Sequence, residues 1–314
     1  MLFLSFKPME PISSDHVPQG EFLYQFKWDG VRMLAHVGRN RVWLHNRKLK
    51  ERTCHYPELV VLTDLVRGEA ILDGEIVALR NGKPSFPLVL ERDLINPAAT
   101  ENKTRRLMAQ VPIFYMVFDL IWYNGQSLIG LPLTRRQSIL AEALQENDTV
   151  RIVESFADGN ALFEAVSQQK MEGIVAKLKE GHYAAGKKHR AWIKVKHRQK
   201  QLVAIGGYTV KAGQINALLA GAYHNGQFLY VGRVATGLTG RDLAALTPYL
   251  KEAEIAKPEF VNAIPGKDNR WVSPSLTALV DLQEWTEDLR MRQPVIIGFT
   301  KDLPKNCILG QGDR

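Results

Sequence analysis

With 314 residues the chain exceeds one compact core of common size, so two domains are expected. Its composition, 45% hydrophobic and 24% charged, is that of a globular protein in water, and no apolar run approaches the roughly 18 residues of a membrane span, which excludes a membrane protein. A formal charge of +8 with only two cysteines, Cys54 and Cys307, excludes a disulfide scaffold or a cysteine zinc module; both thiols are expected to be free and buried.

The opening "MLFLSF" is apolar but lacks the basic leader, longer hydrophobic stretch and cleavage site of a secretory signal, so the chain is placed in the cytosol, off any membrane. "EFLYQFKW" then reads as a strand that ends at Asp29-Gly30. Side chains alternate along a strand, which puts Phe22, Tyr24 and Phe26 on one face and Leu23, Gln25 and Lys27 on the other. A buried lysine is costly unless paired or reactive. From this stretch alone Lys27 is either a solvent-face lysine paired with Asp29 or a reactive group.

"VRMLAHV", "RVWLHN", "AILDGEIVAL" and "IFYMVFDLIWYNG" continue as strands, and "YPELVVLTDLV" reads as a helix. Residues 133–147, opening on Thr134, form a predicted helix, and 160–169 a second, capped by "DGN". "GIVAKL" is a strand. From Lys177 to Lys200 nine Lys and Arg face a single acid, Glu180, and Trp192, Ile193 and Val195 are interleaved with the lysines. Such a strip reads as a strand with an apolar face and suits a polyanion, either nucleic acid or a nucleotide triphosphate. "GHYAAGKK" nearly matches a phosphate-binding loop, but Lys188 stands where Ser or Thr should hold Mg²⁺, and strand rather than helix follows. The polar "HRQKQ" near residue 199 marks the expected boundary between residues 1–199 and 200–314. Beyond it the chain is β-rich, with Asn225-Gly226 in "HNGQ" as a hairpin turn, and suits a small barrel.

Four stretches then point to one family. "KWDGVR" (Lys27, Asp29, Gly30, Arg32), "LDGEIVAL" (Asp73, Gly74, Glu75), "EGIVAK" (Glu172, Gly173, Lys177) and "WIKVK" (Lys194, Lys196) resemble, in order and approximate spacing, the nucleotidyltransferase motifs of ATP-dependent DNA ligases. The likeness is to the ligase modules of bacterial non-homologous end joining, and "PSLTALVDLQEWTEDLRMRQPVIIGF" looks like the end of their oligonucleotide-binding (OB) barrel. The resemblance implies an α+β nucleotidyltransferase domain of antiparallel sheets and helices followed by an OB-fold barrel. It implies that Lys27 attacks the α-phosphate of ATP and forms a lysyl-AMP that passes to a 5′-phosphate before a 3′-hydroxyl displaces AMP.

At a reference pKa of about 10.4, on the order of one lysine in a thousand is neutral at pH 7.5. Lys194 and Lys196, two apart on one strand face, are expected to depress the pKa of Lys27 and cradle the phosphate. By the same resemblance Glu75 and Glu172 hold Mg²⁺ or Mn²⁺, with Glu75 also near the ribose, while Phe118 stacks on adenine; taken alone, a core residue is the commoner fate of such a phenylalanine. Arg32 and Arg47 contact phosphates or the nick. Tyr183, Gly186, Lys187 and Lys188 match the Tyr, Gly and basic residues before the family's lysine-rich strand, and Lys187 and Lys188 are expected to face DNA.

Two positions depart from the pattern. Gln25 replaces the usual Glu that reads the adenine amino group, although its carbonyl accepts the same hydrogen bond. Where relatives carry a basic pattern ending Arg-x-Asp-Lys, this chain reads Thr300-Lys301-Asp302-Leu303, which bears on the first chemical step. The expectation is a monomeric ATP-dependent ligase of nicked or broken duplex DNA, working in the bacterial cytosol or nucleoid. Family resemblance alone implies a Ku end-binding partner and separate polymerase and nuclease factors. The alternatives are a non-catalytic or step-one-deficient nick- or end-binding protein with a ligase fold, and an RNA ligase; a GTP-using capping enzyme shares the lysine chemistry.

Overall fold

Two apolar periodicities organise the first part of the chain. In the strand Phe22–Phe26 the aromatic face packs on Leu162 and Val166, both on the apolar face of the helix Gly159–Gln168. In the strands Val31–Gly38 and Ala70–Arg80, Met33, Ala35, Val37, Leu72 and Ile76 point into a second core, and Leu34 and Ile71 into a third. A strand with both faces covered belongs in the middle of a stack.

The computed structural model describes residues 6–94, 101–211, 213–262, 266–286 and 288–310, so the apolar opening at 1–5 lies outside the described residues. The chain divides into two compact units, Met1–His197 and Arg198–Arg314. In the first, a four-stranded sheet runs in the order Glu10–Ser14, Lys188–Lys196, Gly173–Leu178, Phe22–Phe26. A larger sheet has the central order Arg41–Asn46, Val31–Gly38, Ala70–Arg80, Ile113–Tyr123, with Val150–Ile152 parallel to the last. Leu34, Ile71 and Ile121 of the larger sheet and Ala191 and Trp192 of the smaller share one core, so the sheets pack face to face. Where they meet, Lys27 and Glu75 are close enough for their charges to interact.

The helix expected over 133–147 is Leu133–Ala143. That over 160–169 is Gly159–Gln168, capped by the Asp158 carboxylate, which accepts from Asn160 N and Ala161 N. "YPELVVLTDLV" is a 3₁₀ turn, Pro57–Val61, and a short helix, Leu62–Leu65, rather than one helix. Two helices without a sequence expectation, Phe86–Asp93 and Glu101–Gln110, complete the unit's described helices.

The second unit is a β-barrel. Its long strand Gln199–Lys211 pairs first with Thr277–Leu282 and later with Asn269–Val272, with a register shift near Gly207 that lets one strand serve two directions. Val295–Thr300 extends the sheet, and a bridge from Val295 to Thr236 joins it back toward Gln227–Val234. The expected hairpin joins Gln214–His224 to Gln227–Val234 through Asn225 and Gly226, both at positive φ. A helix, Gly240–Glu252, is set by a capping box between Thr239 and Asp242. Among the described residues no helix is long and apolar enough to cross a membrane. Cys307 is buried, but Cys54 is exposed, contrary to expectation, because it sits in the surface turn Thr53–His55.

Candidate active site

Lys27 stands one residue past the strand Phe22–Phe26. Its amide donates to Gly173 O at 2.9 Å, which prolongs the ladder with Gly173–Leu178 and keeps Lys27 on the face of Gln25. Two glycines make this geometry possible. A Cβ on Gly30 would lie 2.1 Å from Ile76 O, and one on Gly173, at φ +143°, would lie 2.2 Å from Val195 O.

The ammonium of Lys27 donates to Glu172 Oε2 at 2.7 Å, while Lys196 Nζ lies 3.0 Å from Glu172 Oε1. The Glu172 side chain is 5% exposed and each lysine 22%. One carboxylate thus carries two cations in a partly desolvated setting. Burial opposes the charge on Lys27, but Glu172, Glu75 and Asp29 outweigh it and hold its pKa above the ordinary lysine value. The expected depression by Lys194 and Lys196 is therefore corrected: Lys196 faces the same carboxylate, and it is Lys194 whose pKa is lowered, by burial and then by Lys196 and Lys27. Burial pushes Glu75 up to about 8, with Glu172 and Asp29 adding to the rise against Lys27 and Arg32.

Arg32 is committed to the protein. Its Nε and Nη2 donate to the two carboxylate oxygens of Asp73 at 2.9 and 2.6 Å, and Nη1 donates to Met9 O at 2.6 Å. Tyr183 OH donates to Asp73 Oδ2 at 2.7 Å and accepts from Met9 N at 3.1 Å. Phe118 lies edge-on to Trp192, with the Lys177 ammonium 4.2 Å and the Arg32 guanidinium carbon 5.2 Å from its ring centre. Arg47 is 58% exposed and reaches Glu10 at 3.4 Å; Lys187, Lys188 and Arg190 are exposed. The fold thus brings together Lys27, Glu172, Lys196 and, through their charges, Lys194 and Glu75, whereas Arg47 stands apart at the surface.

Over residues 1–196 the sequence matches the ATP dependent DNA ligase domain, and over 211–303 the ATP dependent DNA ligase C terminal region. The chain belongs to the ATP-dependent DNA ligase family. Its ligase relatives include the multifunctional non-homologous end joining DNA repair protein LigD of Mycobacterium tuberculosis, 30% identical over 90% of this chain and 36% of that protein. A DNA ligase of Thermococcus fumicolans is 30% identical over 74% of this chain and 44% of its own. Among solved structures, mycobacterial DNA ligase D complexed with ATP and MES matches at a TM-score of 0.54 and 28% identity, covering 97% of this chain and 98% of that one. The chain spans about a third of the length of the LigD proteins it matches, at 36%.

Within the ligase fold, several buried partners were not anticipated. Arg136 is fully buried and forks onto Asp119 at 2.8 Å through two nitrogens, and Lys177 donates to Phe118 O at 3.2 Å. Burial lowers the Lys177 pKa to about 7, with Arg32 and Arg136 adding to the fall against Asp119 and Asp73. The signal for the first was present in "FDL", an aspartate inside an apolar strand. In the second unit Thr277 Oγ1 lies 2.8 Å from Thr300 Oγ1 and donates to Asp302 O at 3.0 Å, while Lys301, Asp302 and Leu303 are exposed.

Proposed function

We propose that this chain seals 5′-phosphate/3′-hydroxyl nicks or ends in duplex DNA at the expense of ATP, through a lysyl-AMP intermediate on Lys27. The observation that carries the reading is the Lys27–Glu172–Lys196 arrangement, 2.7 and 3.0 Å on either oxygen of one carboxylate. The Nζ lone pair forms the N–P bond to the α-phosphorus, and the bond to the bridging oxygen breaks, so pyrophosphate leaves with that electron pair. A 5′-phosphate oxygen then displaces Lys27 from the AMP phosphorus, and the amine takes back a proton. Finally the 3′-hydroxyl oxygen bonds to the activated 5′-phosphorus, its proton passing to solvent water, and the bond to the AMP oxygen breaks so that AMP departs with that electron pair.

Lys27 must lose its proton before it attacks. Paired with Glu172 it holds that proton, so the proton has to pass to solvent water and Glu172 to turn from the neutral amine when the triphosphate enters. Lys196 draws the carboxylate the other way, and Lys27, left beside Lys194 and Lys196, then loses the stabilisation of its charge. Lys194 and Lys196 also neutralise phosphate oxygens, Gln25 accepts from the adenine amino group, and Phe118 supports the base. Arg32 orders the floor of the site and Arg47 reaches DNA phosphate, as do Lys187 and Lys188.

Among the described residues no cluster of three or more metal-binding side chains exists. Two carboxylates, Glu75 and Glu172, are the side chains that would hold Mg²⁺ or Mn²⁺, whose hard oxygen preference they fit. When bound, such an ion offsets the charge that builds on the phosphate. In this reading residues 1–199 carry nucleotidyl transfer and 200–314 the OB fold, the protein is a cytoplasmic monomer, and its role is repair by end joining with a Ku end-binding partner and separate polymerase and nuclease factors. LigD relatives bear the end-joining name, and this chain matches about a third of them.

The test is transfer of label from α-labelled ATP to the purified chain with Mg²⁺, followed by sealing of nicked DNA and nicked RNA. Label that requires Lys27 and sealing selective for DNA are expected; full ligation by Lys27→Ala would overturn the mechanism. Ku is tested by co-purification and by stimulation of end joining, which its absence from both would dismiss.

A further inference from the structure

The strand Ile113–Tyr123 is irregular beside the proposed site. Its register with Ala70–Arg80 sets Val117 against Gly74 and then Asp119 against Asp73, so Phe118 has no residue opposite it in that strand. Val117 and Leu120, three apart, both enter the core that holds Met33 and Ala35, which is the spacing left by one inserted residue. Phe118 instead joins the core shared by the two sheets, part-buried, together with Val175. A bulged residue loses its place in the ladder, and here Lys177 meets it. The Lys177 ammonium donates to Phe118 O at 3.2 Å and lies 4.2 Å from the centre of the Phe118 ring.

Lys177 comes from the other sheet, on the strand Gly173–Leu178, where it stands across from Leu23 and Trp192. Two residues before it, Val175 stands across from Gln25 and Lys194, so Lys177 shares their face. Its ammonium also lies 4.3 Å from the Trp192 ring centre. Charge balance does not account for this lysine. The two acids that act on it, Asp73 and Asp119, are each forked by an arginine, Arg32 and Arg136. Lys177, 2% exposed, is thus a third cation beside two carboxylates, and its hydrogen bond goes to a neutral carbonyl. Such burial costs stability, and folds keep costs of this kind at sites that use them.

We propose that Lys177 is a positioning residue for nucleotide binding: from the smaller sheet it holds the bulged Phe118 of the larger one by carbonyl and by ring, and so presents that ring to the purine of an incoming nucleotide. This rests on the reading that Phe118 supports the base, and deepens it. Lys177 touches neither base nor phosphate; it acts through Phe118. Without the ammonium the bulged carbonyl lacks its donor and the ring its cation, so the stacking surface shifts although none of its atoms has been changed.

The experiment is equilibrium binding of two probes, α,β-methylene ATP, which cannot transfer, and inorganic tripolyphosphate, which has no base, with labelled-ATP transfer run in parallel. The ratio of the two affinities is the readout, since a merely structural defect weakens both probes alike. Lys177→Met keeps the apolar stem and removes the donor and the charge. It is expected to weaken the adenosine probe on the order of tenfold, the scale of one base–aromatic stack, and to leave tripolyphosphate binding where it was. Phe118→Leu is expected to give the same selective loss, and adding Lys177→Met to it no further loss. An unchanged ratio in Lys177→Met, or additive losses in the double variant, would overturn the proposal while a selective loss in Phe118→Leu kept the reading beneath it. An unchanged ratio in Phe118→Leu would remove both. If the ratios behave as expected but no label reaches Lys27, the ligase chemistry falls and the positioning role stands.

Discussion

One carboxylate oxygen of Glu172 stands 2.7 Å from the ammonium nitrogen of Lys27, and the pair spans 145 residues of sequence. In the free chain this contact holds the proposed nucleophile protonated, above its ordinary pKa. A cation whose folded pKa is raised contributes stability that is complete below the unfolded value, 10.5 here, and is lost as pH rises through the folded one. Glu172→Gln is therefore expected to shift modification of Lys27 by an amine-reactive reagent to lower pH and to weaken the chain's resistance to unfolding below pH 10. Peptide mass spectrometry across a pH series reads the first effect; an unmoved midpoint would show that Glu172 does not set the charge of Lys27.

Arg32 and Asp73 predict a larger effect, on folding. Asp73 is fully buried and Arg32 nearly so, and removing one partner of such a pair strands the other charge. Asp73→Ala is expected to cost about 3–5 kcal/mol of stability. Adding Arg32→Met should recover part of that loss by removing the stranded charge. Denaturant titration of the two variants checks both, and additive losses would contradict the account.

Gly30→Ala would drive a Cβ into Ile76 O at 2.1 Å. The loop after Lys27 must then lift from the larger sheet. Adenylylation is expected to fall by at least tenfold, consistent with the sensitivity of reaction geometry to displacements near 1 Å. Circular dichroism and thermal unfolding should change less than activity does, because the loop lies at the end of a strand.

Lys177 supplies a dependence of opposite sign. Its folded pKa, about 7, lies below the model-peptide value of 10.5, so between those limits the unfolded chain binds more protons and stability rises with pH. The cost of burying this group is full below pH 7 and gone near pH 10.5. Lys177→Met is expected to raise the melting temperature at pH 7 and to lose that advantage by pH 10. A constant difference across the range would mean that the Phe118 and Trp192 rings and the Phe118 carbonyl satisfy the cation fully.

Local rules accounted for much of the fold. Alternation alone separated Phe22, Tyr24 and Phe26 from Gln25 and Lys27, and the hairpin at Asn225-Gly226 followed from two residues that accept positive φ. The stretch expected as one helix is a 3₁₀ turn followed by a short helix, and the β-branched pair Val60-Val61 lowers its helix propensity. The helix at Gly240–Glu252 carried a readable capping box in Thr239 and Asp242, although Pro248 inside it obscured the pattern. Family resemblance singled out Lys27, Glu75, Glu172, Lys194 and Lys196, but not which cation meets which carboxylate. That Lys196 shares Glu172 with Lys27, or that Tyr183 meets Asp73, depends on pairings across 24 and 110 residues that no local pattern encodes.

The two sheets of the first unit are tied on two sides. Near the N-terminus, Glu10–Ser14 pairs within the smaller sheet while the preceding Met9 accepts from Arg32 on the larger one. On another side, Val150–Ile152 lies along Ile113–Tyr123 in the larger sheet, and four residues on Phe156 pairs with Tyr24 in the smaller. Two ties thus cross from one sheet to the other, one through Met9 and one through Phe156. Parting the sheets would therefore cost the Arg32–Met9 contact and both Tyr24–Phe156 hydrogen bonds at once.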